Sequence, residues 1–205
     1  IDIAPSILRR ADLPVPTWME GEAILDAKVA SRSQIFAARD RCGDADDRIR
    51  AVITADYLFV RNFHPKLSRF NWSSYKEEQY PGVPLMRTMI GSKLLSKPLS
   101  DCLLPERPEF ELYRLSSDPQ GMDNIVDDPA QRNTVIGMKQ ILDAWITTSG
   151  DRGALPAVAT EPSLSEIQAA KRAGYQRTWM KRLGKSEPTD DERVKWWEQL
   201  YGLLH

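Results

Sequence analysis

The sequence predicts an α+β fold: a small antiparallel sheet of about four strands packed by one amphipathic helix. Residues 49–54 and 57–63 alternate apolar and polar side chains on either side of Ala55-Asp56, a two-residue hairpin connection. Residues 110–115 alternate in the same way. Val135, Met138, Leu142 and Trp145, widened by Ile141, then recur at helical spacing within 129–149. Packing the helix on the strands is expected to bury Val52, Leu58, Val60 and Leu112 against Leu142 and Trp145.

The remaining elements follow from local chemistry. Asp2 is placed to cap a helix with Pro5 in its first turn and Ile3, Ile7, Leu8 and Ala11 on one face; Pro14 and Pro16 end it, and 17–22 is a loop. Residues 33–38 (SQIFAA) read as an apolar strand running into a charged loop over 39–48. Residues 67–104, with Pro81, Pro84 and Pro98, are irregular apart from a short helix over 85–95. There the spacing of Met86, Met89 and Ile90 reads as packing.

In the 110–115 strand, Phe110, Leu112 and Arg114 face one way, and Glu111, Tyr113 and Leu115 the other. Ser116-Ser117-Asp118-Pro119 is a turn. Asp128-Pro129 opens the long helix as cap acceptor and first-turn proline, and Gly150 stops it. Residues 151–162 form a Gly, Pro and Ala connector. A tail helix follows from Ser163 or Ser165 to about Leu183, with Ser163 and Glu166 at capping-box spacing. A last helix starts at Thr189 or Asp190 and runs through Tyr201. In it, Trp196 and Leu200 are expected to pack inward and leave Trp197 partly exposed. Lys171, Arg172, Arg177, Lys181 and Arg182 give the first tail helix a basic, solvated face.

At 205 residues the chain is long enough to bury a sizeable core. Its 28 basic and 29 acidic residues leave a net charge of −1, a balance that offers no field for nucleic acid or an anionic membrane. No apolar run approaches the roughly 20 residues of a bilayer span. No signal peptide is visible, and because the chain opens on Ile1 within a helical pattern this says nothing about compartment. Cys42 and Cys102 lack C-x-x-C spacing and cannot alone form a metal set; they read as free thiols, with one disulfide as the alternative.

Three segments, in order, resemble the type I, formylglycine-dependent sulfatases of the alkaline-phosphatase-like superfamily. IDIAPSIL…ADLPVP is similar to that family's V-D-I-A-P-T-I-L-x-x-A-G helix, with Ala11-Asp12 where the family has Ala-Gly. IRAVITADYLFVRNFHP is similar to R-x-V-R-T-x-x-Y-K-Y-I-R-N-F-x-P. ELYRLSSDP…NIVDDP resembles the closing E-L-Y-D-L…D-P…N-L-A unit, with Arg114 for Asp and Ile125-Val126 for Leu-Ala.

The resemblance implies that 1–30 end a catalytic α/β domain, 31–150 form the C-terminal sulfatase subdomain, and 151–205 are a helical tail outside the likeness. On that basis the sheet is attached to the edge of an absent alkaline-phosphatase-like α/β domain. It also implies a calcium ion and a formylglycine in the whole enzyme, neither bound by this chain. Cys42 begins C-G-D-A-D and Cys102 begins C-L-L-P-E, so neither fits the C/S-x-P/A-x-R modification motif. The expected partners are therefore the N-terminal catalytic portion and a sulfated carbohydrate or other sulfate ester, with a periplasmic or secreted location. A phosphonate or phosphate monoester hydrolase of the same superfamily, or a non-catalytic binding module, are the alternatives.

The candidate substrate-contacting residues sit on the rim. Arg39, Asp40 and Arg41 directly follow a strand, and a guanidinium suits sulfate or carboxylate; the competing reading is a loop whose charges pair with each other. His64, in Asn-Phe-His-Pro, suits a hydrogen bond to sulfate or sugar, against a loop histidine held by backbone. Trp72 suits stacking on a sugar ring, against packing beneath the 67–104 loop.

Overall fold

A computed structural model describes residues 1–26, 32–40, 47–91, 94–153 and 164–202. The chain divides into two compact units, Ile1–Ile35 and Phe36–His205.

In the first unit, α1 (Ile3–Arg10) forms as expected, but Asp2 does not cap it. Its backbone is already helical, and its carboxylate turns to the following loop. There it accepts from the Glu22 backbone N–H at 2.9 Å and from Arg32 Nη1 at 2.7 Å. Gly21 is required where the loop returns, since a Cβ there would lie 2.1 Å from the Ile1 carbonyl oxygen. Asp12 ends the helix at φ 55°, a left-handed conformation that Asp tolerates and Gly adopts freely. Ile3 and Ile7 point outward, 74% and 61% exposed.

The sheet consists of β1 (Gln34–Arg39), β2 (Ile49–Thr54), β3 (Tyr57–Asn62) and β4 (Phe110–Arg114), in that spatial order. The β2–β3 and β3–β4 pairs are antiparallel. The two-residue connection pairs even positions of β2 with odd positions of β3, so Val52 lies opposite Phe59, and Phe59 opposite Leu112. These three share one face and are fully buried. Leu58 and Val60 therefore fall on the opposite face, only half-buried, and the expectation that they join the core is corrected to Phe59.

After a 3-10 turn at Pro129–Gln131, α5 (Arg132–Thr148) covers the apolar face. Asp128 caps the turn, accepting from the Ala130 N–H at 2.9 Å. Met138 and Leu142 complete the core with Val52, Phe59 and Leu112, and Phe36 stacks on Trp145 with ring centroids 4.9 Å apart. The outer edge of β4 is closed by a side chain. Asn124 Oδ1 accepts from the backbone N–H groups of Leu112 (2.9 Å) and Val126 (3.2 Å), while Ile125 N–H donates to the Leu112 carbonyl. Asp118 folds the preceding turn by accepting from Met122 and Asp123 N–H, and these backbone donors hold its carboxyl below the usual range.

Between β3 and β4 lie α2 (Ser74–Gln79), α3 (Gly82–Gly91) and α4 (Lys97–Asp101). The predicted 85–95 helix is shifted toward the N-terminus, because Pro84 sits in the first turn of α3, where its missing N–H leaves no broken bond. The tail helices α6 (Leu164–Leu183) and α7 (Asp190–Leu200) pack on α2 and α3 around a second core of Tyr175, Trp179 and Trp197. Trp197 is buried, Trp196 half-buried and Leu200 exposed, the reverse of the expected order; both tryptophan rings meet Trp179, and Trp197 is covered further by the stacked Tyr201 ring. Thr189 caps α7 in a reciprocal capping box with Glu192. The Lys185 ammonium and the Thr189 N–H hold the Glu192 carboxyl down at about 2. Ser163 lies outside the described residues. Arg87 ties the tail to α2, bonding Glu77 at 2.7 and 2.8 Å and Asp190 at 2.6 Å, while burial, reinforced by Glu77, pushes the Tyr175 phenol up to about 12.

Replacing Phe59 with Ala should cost about 3–5 kcal/mol in urea unfolding. Leu58→Ala, on the other face, should cost less than half as much. Equal losses would mean the register is wrong.

Candidate functional site

Strand alternation separates two neighbours that the sequence presents together. Phe36 on β1 faces α5, so Asp40, four residues on, continues that face and Arg39 turns to the opposite one. On the helix-covered face, Asp40 binds Arg50, whose guanidinium is 1% exposed, with Nη2–Oδ1 at 2.8 Å. Arg50 also grips Asp151, just past the end of α5: Nε to Oδ2 at 2.9 Å and Nη2 to Oδ1 at 2.7 Å. Arg48 adds a bond to Asp151 Oδ2 at 3.0 Å. The two guanidiniums, Arg50 first, hold the Asp151 carboxyl far below the usual carboxylate range. Gly153 closes over the cluster, where a Cβ would lie 2.0 Å from Arg50 Nη2. Asp151 and Gly153 stand outside the expected rim; the Gly-Asp-Arg-Gly run that follows the helix is their trace in the sequence.

The opposite face of the sheet is polar at one end. The Glu111 carboxylate, 1% exposed, accepts from Asn62 Nδ2 at 2.5 Å, from the Tyr113 hydroxyl, and from Arg69 Nη1 at 2.7 Å. Burial, reinforced by Glu111, raises the Tyr113 phenol well above its ordinary value. Beside it, Arg107 makes a buried two-pronged pair with Asp47, one bond at 2.9 Å, and Arg107 Nε has no partner among the described residues. A cleft of about 310 Å³ opens here, with Arg39, Arg69 and Arg107 around it and Leu58 and Val60 on its wall. Around Arg69, Arg107, Tyr113 and Gly121 it adjoins a second hollow of about 370 Å³.

Of the rim candidates among the described residues, only Arg39 reaches this cleft. Arg41 lies outside the described residues, as does Cys42, so the state of the cysteine pair lies outside them too. His64 is exposed, and its carbonyl accepts from the Leu67 N–H at 3.0 Å. Trp72 packs edge-on against Tyr175 (centroids 5.9 Å apart) beneath the Arg172 guanidinium at 4.4 Å, in the second core. Arg69 and Arg107 were not marked by any local pattern, since each is brought to the sheet by a loop. Among the described residues, no group of three or more His, Cys, Asp or Glu side chains is arranged to hold a metal ion.

The Asp151 cluster makes a pH prediction. A carboxyl with a depressed folded pKa stabilises the fold above its unfolded value, near 4, and loses that contribution as pH falls through the folded value. Asp151→Asn should cost about 3 kcal/mol at pH 7, and the gap to wild type should narrow steadily below about pH 4 in denaturant titrations. A pH-independent gap would contradict the assignment.

No family model matches the chain. Over 160 residues it is 30% identical to the ulvan-active sulfatase of Formosa agariphila, covering 76% of this chain and 26% of that protein. It thus spans about a quarter of that relative's length. Among solved structures, a 2-O GAG sulfatase aligns with TM-score 0.49 and 15% identity, over 82% of this chain and 28% of that one. A protein in complex with its substrate D-glucosamine-2-N,6-O-disulfate aligns with TM-score 0.46 and 14% identity, over 75% and 25%. No helix among the described residues is long and apolar enough to cross a membrane. Over the aligned residues the chain is similar to one segment of the longer ulvan-active sulfatase.

Proposed function

We propose that these residues are the C-terminal part of a sulfatase that hydrolyses sulfate esters of a carbohydrate, acting at the cell surface side as a periplasmic or secreted enzyme. The observation that carries this is the 30% identity over 160 residues to an ulvan-active sulfatase. Sulfate-ester hydrolysis needs a nucleophile, a cation to neutralise the sulfate oxygens and an acid for the leaving group. On this reading the formylglycine and calcium that supply the first two belong to the polypeptide beyond these 205 residues.

The chain's own contribution is positional. The sheet and α5 form a rigid buttress, and the end of β1 is anchored to it through Asp40, Arg50 and Asp151. That anchoring holds Arg39 at the rim, where it meets the anionic groups of the sugar. Arg50 and Asp151, the buried part of the anchor, let the rim keep its geometry without contributing to the reaction itself.

The test is the longer polypeptide. Its upstream sequence should contain Cys/Ser-x-Pro/Ala-x-Arg, with the mass change of formylglycine at the first residue. It should release sulfate, and not phosphate, from a sulfated polysaccharide. Arg39→Ala and Arg41→Ala should lower kcat/KM about tenfold, mainly through KM, with unchanged thermal unfolding. Phosphate release would move the protein to the monoesterases, and unchanged kinetics in both variants would remove the rim from substrate contact.

A further inference from the structure

We propose that the cleft on the open face of the sheet is a non-reacting subsite for one singly charged oxyanion, carboxylate or sulfate, carried on a sugar ring. This deepens the sulfatase reading and rests on it for the choice of a sugar as the scaffold.

Charge is the first argument. Three guanidiniums line the cleft, and two are already neutralised: Arg69 by Glu111 at 2.7 Å, and Arg107 by buried Asp47. Arg39 has no carboxylate partner among the described residues, because strand alternation sends the adjacent Asp40 to Arg50 on the other face. Among the described residues, one uncompensated positive charge therefore faces the cleft, and it calls for a ligand with one negative charge. A planar guanidinium fork matches either a carboxylate or a sulfate edge.

Surroundings and size narrow the ligand further. Leu58 and Val60, the side chains displaced from the core by the hairpin register, give the cleft an apolar wall suited to the carbon face of a ring. That wall also lowers the local dielectric, strengthening Arg39's attraction for an anion. A volume of about 310 Å³ is at the small end for ligand sites and admits one ring at a time. The lining carries guanidinium, carboxylate, phenol, amide and aliphatic groups; the Tyr113 phenol is paired with Glu111, but burial and that carboxylate hold its proton on, so the ligand is held and not transformed. The Glu111 network ties the floor together: Asn62, Tyr113 and Arg69 each donate to its buried carboxylate.

Isothermal titration of the 205-residue chain with sodium D-glucuronate, D-glucose 6-sulfate, D-glucose and sodium sulfate tests the assignment. At least one anionic sugar should bind in the millimolar range, glucose should not, and inorganic sulfate should bind at least tenfold more weakly. The stronger of the two anionic sugars tells carboxylate from sulfate. Arg39→Ala should weaken binding at least tenfold, Arg39→Lys less, and Val60→Phe, which fills the cleft without changing its charge, should abolish it. Circular dichroism and Tm establish that the variants are folded; should Val60→Phe not fold, the Arg39 pair still decides. No binding of either anionic sugar, binding unaffected by Arg39→Ala, or inorganic sulfate binding as tightly as the sugars would overturn the proposal. Because this readout needs no turnover, the two readings fail separately. Binding here without sulfate release by the longer polypeptide defeats only the sulfatase reading, and the converse defeats only the subsite.

Discussion

Everything in the larger unit depends on a sheet with two unlike faces. Val52, Phe59 and Leu112 lie side by side across three strands with no solvent exposure, and α5 seats Met138 and Leu142 on them. Because side chains alternate strictly along a strand, that single choice of register dictates the other face as well. Ala51, Val60 and Glu111 line up there, as do Ile53, Leu58 and Tyr113. One face thus supplies cohesion, while the other is left with a carboxylate, a phenol and arginines drawn in from loops.

Charge is buried at both faces, in different ways. Beneath the end of α5, Arg48 and Arg50 converge on Asp151, joining the strand ends to the residue that follows the helix. An ion pair taken out of water gains little net stability, but it tolerates only one geometry, because an unmatched partner would be buried without compensation. On the open face, Glu111 is satisfied by three donors at once. Both arrangements fix position more than they add cohesion. The contrast with the tail is instructive: α6 and α7 are held by edge-on aromatic rings around Trp179, with Arg87 bridging Glu77 and Asp190 at the margin.

Much of this architecture is legible along the chain. The hairpin, the β4 strand, the α5 stripe, the Asp128 cap and the helical tail all appear where local periodicity and turn chemistry put them. Errors arose where the deciding contact is distant. Leu58 and Val60 were paired with Val52 because each run alternates correctly by itself; only the parity of the two-residue turn shows that Phe59 is the inward partner. Trp196 and Trp197 both meet Trp179 of α6, a contact absent from the α7 sequence, and Trp197 is the more deeply buried of the two. Asp2 looked like a cap until Arg32 and the Glu22 backbone claimed its carboxylate.

The candidate site divides along the same line. Sequence alone determined that arginine and aspartate crowd the end of β1, and that neither cysteine carries the modification motif, since both are statements about neighbours in the chain. Tertiary structure decided that Arg39 and Asp40 part company, that Asp40 is taken by Arg50, and that Arg69 and Arg107 join Arg39 at a shared cleft. The physical reason is the range of the forces involved. Backbone periodicity is written over a few residues, whereas a guanidinium finds its carboxylate across separations of sixty residues (Arg107 to Asp47) or a hundred (Arg50 to Asp151), which only the folded chain brings together.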